Sequence, residues 1–187
     1  MARSTKTPTQ PLALELLTTD HRKVEKLFQQ YERQKDGDDE ARRELCERIC
    51  NELTVHAQIE EELFYPWLKE NLEDAEPVEE ALVEHQGAKA LIAQLQGAGV
   101  DETTDAKMKV LSEYIKHHVN EEENEIFPQV RDEQEELDEL GQELMARKMD
   151  LMEELGMQAE EGAGKEQMAG AGERKPRSAG NSHRVTR

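Results

Sequence analysis

The chain has 187 residues with 24 Lys and Arg against 43 Asp and Glu, a formal net charge of −19, and it is 36% charged but only 4% aromatic. That length bounds one domain plus tails, and the shortage of aromatic and β-branched residues argues against a large α/β core and for an all-α chain. Residues 161–187 carry six basic and three acidic residues while residues 1–160 carry 18 against 40, so the body stands at −22 and should repel nucleic acid and anionic membranes.

In chain order, residues 1–10 read as a polar leader without the apolar region of a signal peptide. With no apolar run long enough to span a bilayer, a cytoplasmic protein is expected. Pro11 suits the first turn of a helix running to about Gln34, and Lys35-Asp36-Gly37-Asp38 breaks it. A second helix extends from about Asp38 to Pro66, where proline should end or kink it. A third runs from near Pro77 to Gly97, and a fourth from about Asp101 to its own stop at Pro128. The short loops predict an antiparallel up-down-up-down four-helix bundle over residues 11–130. An additional helix is expected in 131–160, with Leu137, Leu140, Leu144, Met145, Met149 and Met152 as its apolar pattern, lying on the bundle or serving self-association. Residues 161–187 lack apolar periodicity and are expected to be a disordered basic tail. Cys46 and Cys50, one turn apart, form no Cys-x-x-Cys pair and read as packed small side chains.

An internal repeat organises the bundle. His56-Ala57-Gln58-Ile59-Glu60 followed by Phe64-Tyr65-Pro66 returns as His118-Val119-Asn120-Glu121-Glu122 followed by Ile126-Phe127-Pro128. Each copy has an upstream histidine, in Asp20-His21 and Glu84-His85. Residues four apart share a helix face, so His56 can converge with Glu60 and His118 with Glu122. The apolar stripes say that this face is buried. They run Leu14, Leu17, His21, Val24, Phe28, Tyr31; Ile49, Leu53, His56, Glu60, Leu63, Trp67; Val78, Leu82, His85, Lys89, Ile92; and Met108, Leu111, Ile115, His118, Glu122, Glu125.

Burying four imidazoles and two carboxylates costs several kcal/mol per group unless something pairs with them. A pair of divalent cations would. Two imidazoles and one carboxylate per half is a set suited to non-haem iron with open positions, whereas structural zinc prefers a closed set with thiolates. The ferritin-type Glu-x-x-His spacing is absent. His117 points about 100° away from His118 and reads as solvent-facing. Glu61, Glu62, Glu121 and Glu123 read as solvated.

On these residues the chain resembles the hemerythrin-like, or HHE cation-binding, domains. The resemblance implies a four-helix bundle around two iron ions, a non-haem di-iron centre open to an oxo or hydroxo bridge, and the choice between iron and manganese or zinc stays open in the sequence. It carries over His21, His56, Glu60, His85, His118 and Glu122 as metal ligands. Oxygen-carrying hemerythrins have a further histidine where this chain has Lys89, so one ion is a ligand short unless Lys89, Tyr114 or water supplies it. The function expected from the resemblance is binding of, or response to, O2, peroxide or nitric oxide, or iron handling. Two alternatives stand beside it: a di-iron enzyme that dismutates peroxide or acts as an oxidase, and a metal-gated module whose residues 132–187 engage a protein partner or a second copy.

Overall fold

The computed structural model describes residues 10–157 apart from 35, 36, 98 and 100, so the leader up to residue 9 and the basic tail lie outside the described residues. The elements are α1 (Leu12–Gln34), α2 (Asp39–Ile59), a π-helical turn (Glu60–Phe64), α3 (Tyr65–Asn71), α4 (Glu76–Leu95), α5 (Glu102–Glu121), a second π-helical turn (Glu122–Ile126), α6 (Phe127–Val130) and α7 (Gln134–Glu154). Among the described residues there is no strand.

Local chemistry sets the helix starts. Asp38 accepts the Ala41 N–H and opens α2, and Asp101 accepts the Thr104 N–H and opens α5. The start of α1 is held differently. The Leu12 N–H donates to the Asp138 carboxylate of α7 at 2.8 Å, so a distant helix supplies the cap. Where α7 crosses there, a Cβ on Gly141 would lie 2.6 Å from the Ala13 nitrogen, a separation only glycine permits. The additional helix foreseen in the sequence is therefore a packed layer of the fold, with Leu137, Leu140, Leu144 and Leu151 buried against Leu14, Leu17 and Ile59.

Neither proline ends its helix. The wide π turn carries the backbone through to α3 and α6, with Tyr65 N–H bonded to Glu60 C=O and Phe127 N–H to Glu122 C=O. Pro66 and Pro128 then fall in the first turn of the next α segment, where a missing N–H costs little. Each π turn inserts one residue, and this corrects the seam expected beyond the glutamates. Phe64, Tyr65 and Leu68 are buried where Leu63 and Trp67 were expected. Ile126, Phe127 and Val130 are buried while Glu125 is exposed.

α1, α2, α4 and α5 close a ring, and its interior holds two apolar clusters. One gathers Leu14, Ile59, Phe64, Leu68, Ile126 and the leucines of α7. The other gathers Val24, Ile49, Leu53, Ile92, Met108 and Leu111, with Cys46 and Cys50 as free thiols among them. The histidines and glutamates of the repeat lie between the two.

A buried histidine and carboxylate cluster

His21, His56, His85, His118, Glu60 and Glu122 are all at most 6% exposed, and both glutamates are fully buried. α1 and α2 bring in His21 and His56, whose Nε2 atoms stand 3.2 Å apart. α4 and α5 bring in His85 and His118, whose Nε2 atoms stand 3.1 Å apart. Between these pairs lie the two carboxylates that open the π turns. Glu60 Oε1 is 3.2 Å from His56 Nε2 and its Oε2 is 3.4 Å from His85 Nε2. Glu122 Oε2 is 3.3 Å from His21 Nε2 and 3.6 Å from His118 Nε2. Each carboxylate thus reaches both imidazole pairs. His21, His56, Glu60 and Glu122 place one ligand atom each within 4.8 Å of one another, and Glu60, His85 and His118 do the same.

Behind each imidazole, on its Nδ1 side, stands a second carboxylate. His21 donates from Nδ1 to Glu123 at 2.9 Å, His85 to Glu61 at 2.9 Å and His118 to Glu84 at 2.9 Å. His56 Nδ1 faces Asp20 at 3.6 Å, an ion-pair distance too long for a hydrogen bond. The pattern is cyclic and two-fold: Asp20 and Glu84 precede the histidines of α1 and α4 and back those of α2 and α5. Glu61 and Glu123 follow the buried glutamates and back His85 and His21. Such partners fix the tautomer, leaving Nε2 as the inward lone pair. The expectation that Glu61 and Glu123 are merely solvated is therefore corrected; both are half-buried supports. The repeat register could have revealed them, since each follows its buried glutamate in both copies.

Lys89 does not join the buried cluster, although it lines the small cavity beside it. Its Nζ pairs with Glu61, and the residue is exposed because the buried position on that turn of α4 belongs to Ala88. Tyr114 is 45% exposed and faces away. The aromatic group that does enter is Tyr65, which the sequence analysis read only as part of the stop before Pro66. Its hydroxyl donates to Glu122 Oε1 at 2.9 Å and lies 3.2 Å from His85 Nε2. The repeat-related residue is Phe127, stacked on His21 with ring centroids 6.1 Å apart.

Electrostatically the cluster is unsettled by itself. Burial and the neighbouring Glu122 charge push the Glu60 carboxyl well above its usual range. Burial would raise Glu122 too, but the surrounding imidazoles, His118 and His21 foremost, hold it low. Burial would lower His21, yet Glu122 and Glu123 outweigh it and bring the imidazole up to about 9. Burial and the adjacent His118 push His85 down to about 4. Both oxygens of Glu60 and Oε2 of Glu122 have no hydrogen-bond partner among the described residues.

A cavity of about 20 Å³ adjoins the four histidines, walled mainly by Val24, Leu53, Ala88, Ile92, Ile115 and Val119, with Asp20 and Lys89 also lining it. Beside it a larger groove of about 620 Å³ runs between α1 and α5, past Phe28, Tyr31 and Met108, and reaches His21 and Glu123.

An all-α bundle whose interior layer is a two-fold set of imidazoles and carboxylates defines a class of cation-binding bundles. The chain belongs to the hemerythrin HHE cation-binding domain family, which matches residues 12–130. It is also 29% identical over 149 residues to a DNA nickase of Nostoc sp. (strain PCC 7120 / SAG 25.82 / UTEX 2576), a match covering 78% of this chain and 41% of that protein. The chain thus spans about two fifths of the length of that relative. No solved structure matches.

Proposed function

We propose that the chain holds two metal ions in its interior layer and binds a small ligand, O2, nitric oxide or peroxide, beside them. The observation that carries this is the set of orphaned buried oxygens, Glu60 Oε1, Glu60 Oε2 and Glu122 Oε2, facing four inward imidazoles. Buried carboxylate oxygens without partners cost several kcal/mol, and divalent cations between Glu60 and Glu122 would let both ionise while every imidazole stays neutral. His21, His56, Glu60 and Glu122 would hold one ion. His85 and His118 would hold the other with Glu60, leaving positions open for water or a small ligand.

The donor set, imidazole with carboxylate and no thiolate, suits iron, with manganese or zinc as substitutes. The chemistry such iron supplies is reversible electron exchange with O2, nitric oxide or peroxide. The chain does the rest. Asp20, Glu61, Glu84 and Glu123 orient the imidazoles, and Tyr65 offers a proton or hydrogen bond at the Glu122 edge. The small cavity has room for one water or for a ligand of a few atoms and no more, since about 15 Å³ is needed for a single water. Among the described residues no helix is long and apolar enough to cross a membrane.

One observation favours a second reading, a metal-gated module. Lys148 of α7 pairs with Asp20, which backs His56, so the interior layer is joined to the outer helix by two side chains. The nicking activity of the Nostoc protein is not extended to this chain, because a body at −22 opposes phosphate contact. Metal analysis of the purified protein, with optical spectra taken anaerobically and then in air, tests the proposal. About two irons per chain and an oxygen-dependent visible band support it; a protein that binds no transition metal refutes it.

A further inference from the structure

The second half of the bundle brings three side chains of metal-ligating type together outside the buried layer. His117 Nε2 lies 3.1 Å from Glu121 Oε1 and 3.5 Å from Glu84 Oε1, and ligand atoms of the three stand within 4.8 Å of one another. His117 and Glu121 repeat the His-x3-Glu spacing of the buried pair one residue earlier, hence about 100° round the helix. The His117 side chain is 63% exposed, so the group faces water.

The repeat gives an independent comparison. Shifted by one copy, His117 and Glu121 correspond to Val55 and Ile59, which are 1% and 0% exposed. Glu84 corresponds to Asp20, which Lys148 neutralises. Where one half has apolar packing and a lysine, the other has an imidazole and two acids. Glu84 also belongs to both layers: its Oε1 faces His117 outside while its Oε2 accepts from His118 Nδ1 inside.

We propose that Glu84, His117 and Glu121 form an outer divalent-cation site through which metal enters the bundle. One imidazole and two carboxylates with water-filled open positions suit Fe(II), Mn(II) or Zn(II) and give an exchangeable site. An ion held there is separated from His118 by the single carboxylate of Glu84, which can release the imidazole as it takes the ion. This entry role rests on the interior metal centre proposed above; the outer site does not.

Two measurements on the full-length, metal-stripped protein test it. In the first, Mn(II) is added well below one equivalent and the histidine ring protons are followed by NMR. The His117 resonances should broaden first, and Glu121→Gln should abolish the effect. In the second, Fe(II) uptake is timed in the wild type, Glu121→Gln and His117→Asn. Both variants should load several-fold more slowly and reach the same final interior occupancy. Unaffected His117 resonances, or variants that load at the wild-type rate, would overturn the proposal. Broadening at His117 with no interior Fe(II) uptake in the wild type would instead refute the interior centre and the entry role together, while leaving the outer site standing.

Discussion

The α1–α2 half and the α4–α5 half place the same residues around the interior layer, yet their surroundings differ. On the first half α7 packs over α1, α2 and the first π turn, so Asp20 is 5% exposed and held by Lys148. On the second half Glu84 is half-buried beside the exposed His117, and Val83 and Tyr114 face outward at 67% and 45%. Inside, the difference is Tyr65 against Phe127. The repeat fixes what must be equal for six groups to meet, and the departures from it distinguish a sealed side from an open one.

The largest expected effect checks the equality. Glu60→Ala and Glu122→Ala should each lower metal affinity by at least about 100-fold, since each carboxylate serves both imidazole pairs; metal titration of both variants measures it. A wide disparity between them would break the two-fold reading. With metal present, both variants and His118→Ala should melt below the wild type. In chelator Glu60→Gln should melt no lower, because burial and the Glu122 charge already favour an uncharged group at that position.

Next in size is the sealed side. Gly141→Ala forces a Cβ against the α1 backbone and should cost about 1–3 kcal/mol, read by denaturant unfolding. By contrast Val83→Ala, at an outward residue of the open half, should change stability by less than about 0.5 kcal/mol.

The metal-free protein should also lose stability as pH rises through the range in which His21 gives up its proton. The His21 imidazole is raised from 6.5 to about 9, so its stabilisation is complete below pH 6.5 and is lost as pH rises through about 9. Melts in chelator should therefore fall across that window by an amount on the order of 3 kcal/mol, and metal should flatten the curve. A Tm in chelator that rises over the same range would contradict it.

A smaller effect sharpens the interior asymmetry. Tyr65→Phe should weaken metal binding about tenfold and leave the fold intact, as the ring still packs; Phe127→Leu should leave affinity nearly unchanged. Equal losses in both would remove any special role for the phenol.

Much of this was legible before any coordinates. Two His-x3-Glu copies, each with an upstream histidine, brought six groups to one layer, and the apolar stripes placed that layer inside. The π turns were not legible, because a one-residue insertion leaves no mark in a short apolar run; Leu63 and Trp67 fit the three-and-four spacing as well as Phe64 and Leu68 do. That slip also hid Tyr65, since on an unbroken helix it would sit off the seam. Glu61 and Glu123 looked solvated because acidic runs usually are, and their recurrence directly after the buried glutamate in both copies was the sign in the sequence that they do more. Lys89 lay on the expected stripe, but its turn of α4 rotates Ala88 inward instead.

The hydrogen bond from Leu12 to Asp138 carries a consequence for anyone trimming this chain. The family match stops at residue 130, yet a polypeptide cut there would strip the roof from Leu14, Leu17 and Ile59 and unfasten the first turn of α1. His21 rides on that same helix, so a shortened version would be expected to clump and to lose its grip on metal at the α1 corner before any other.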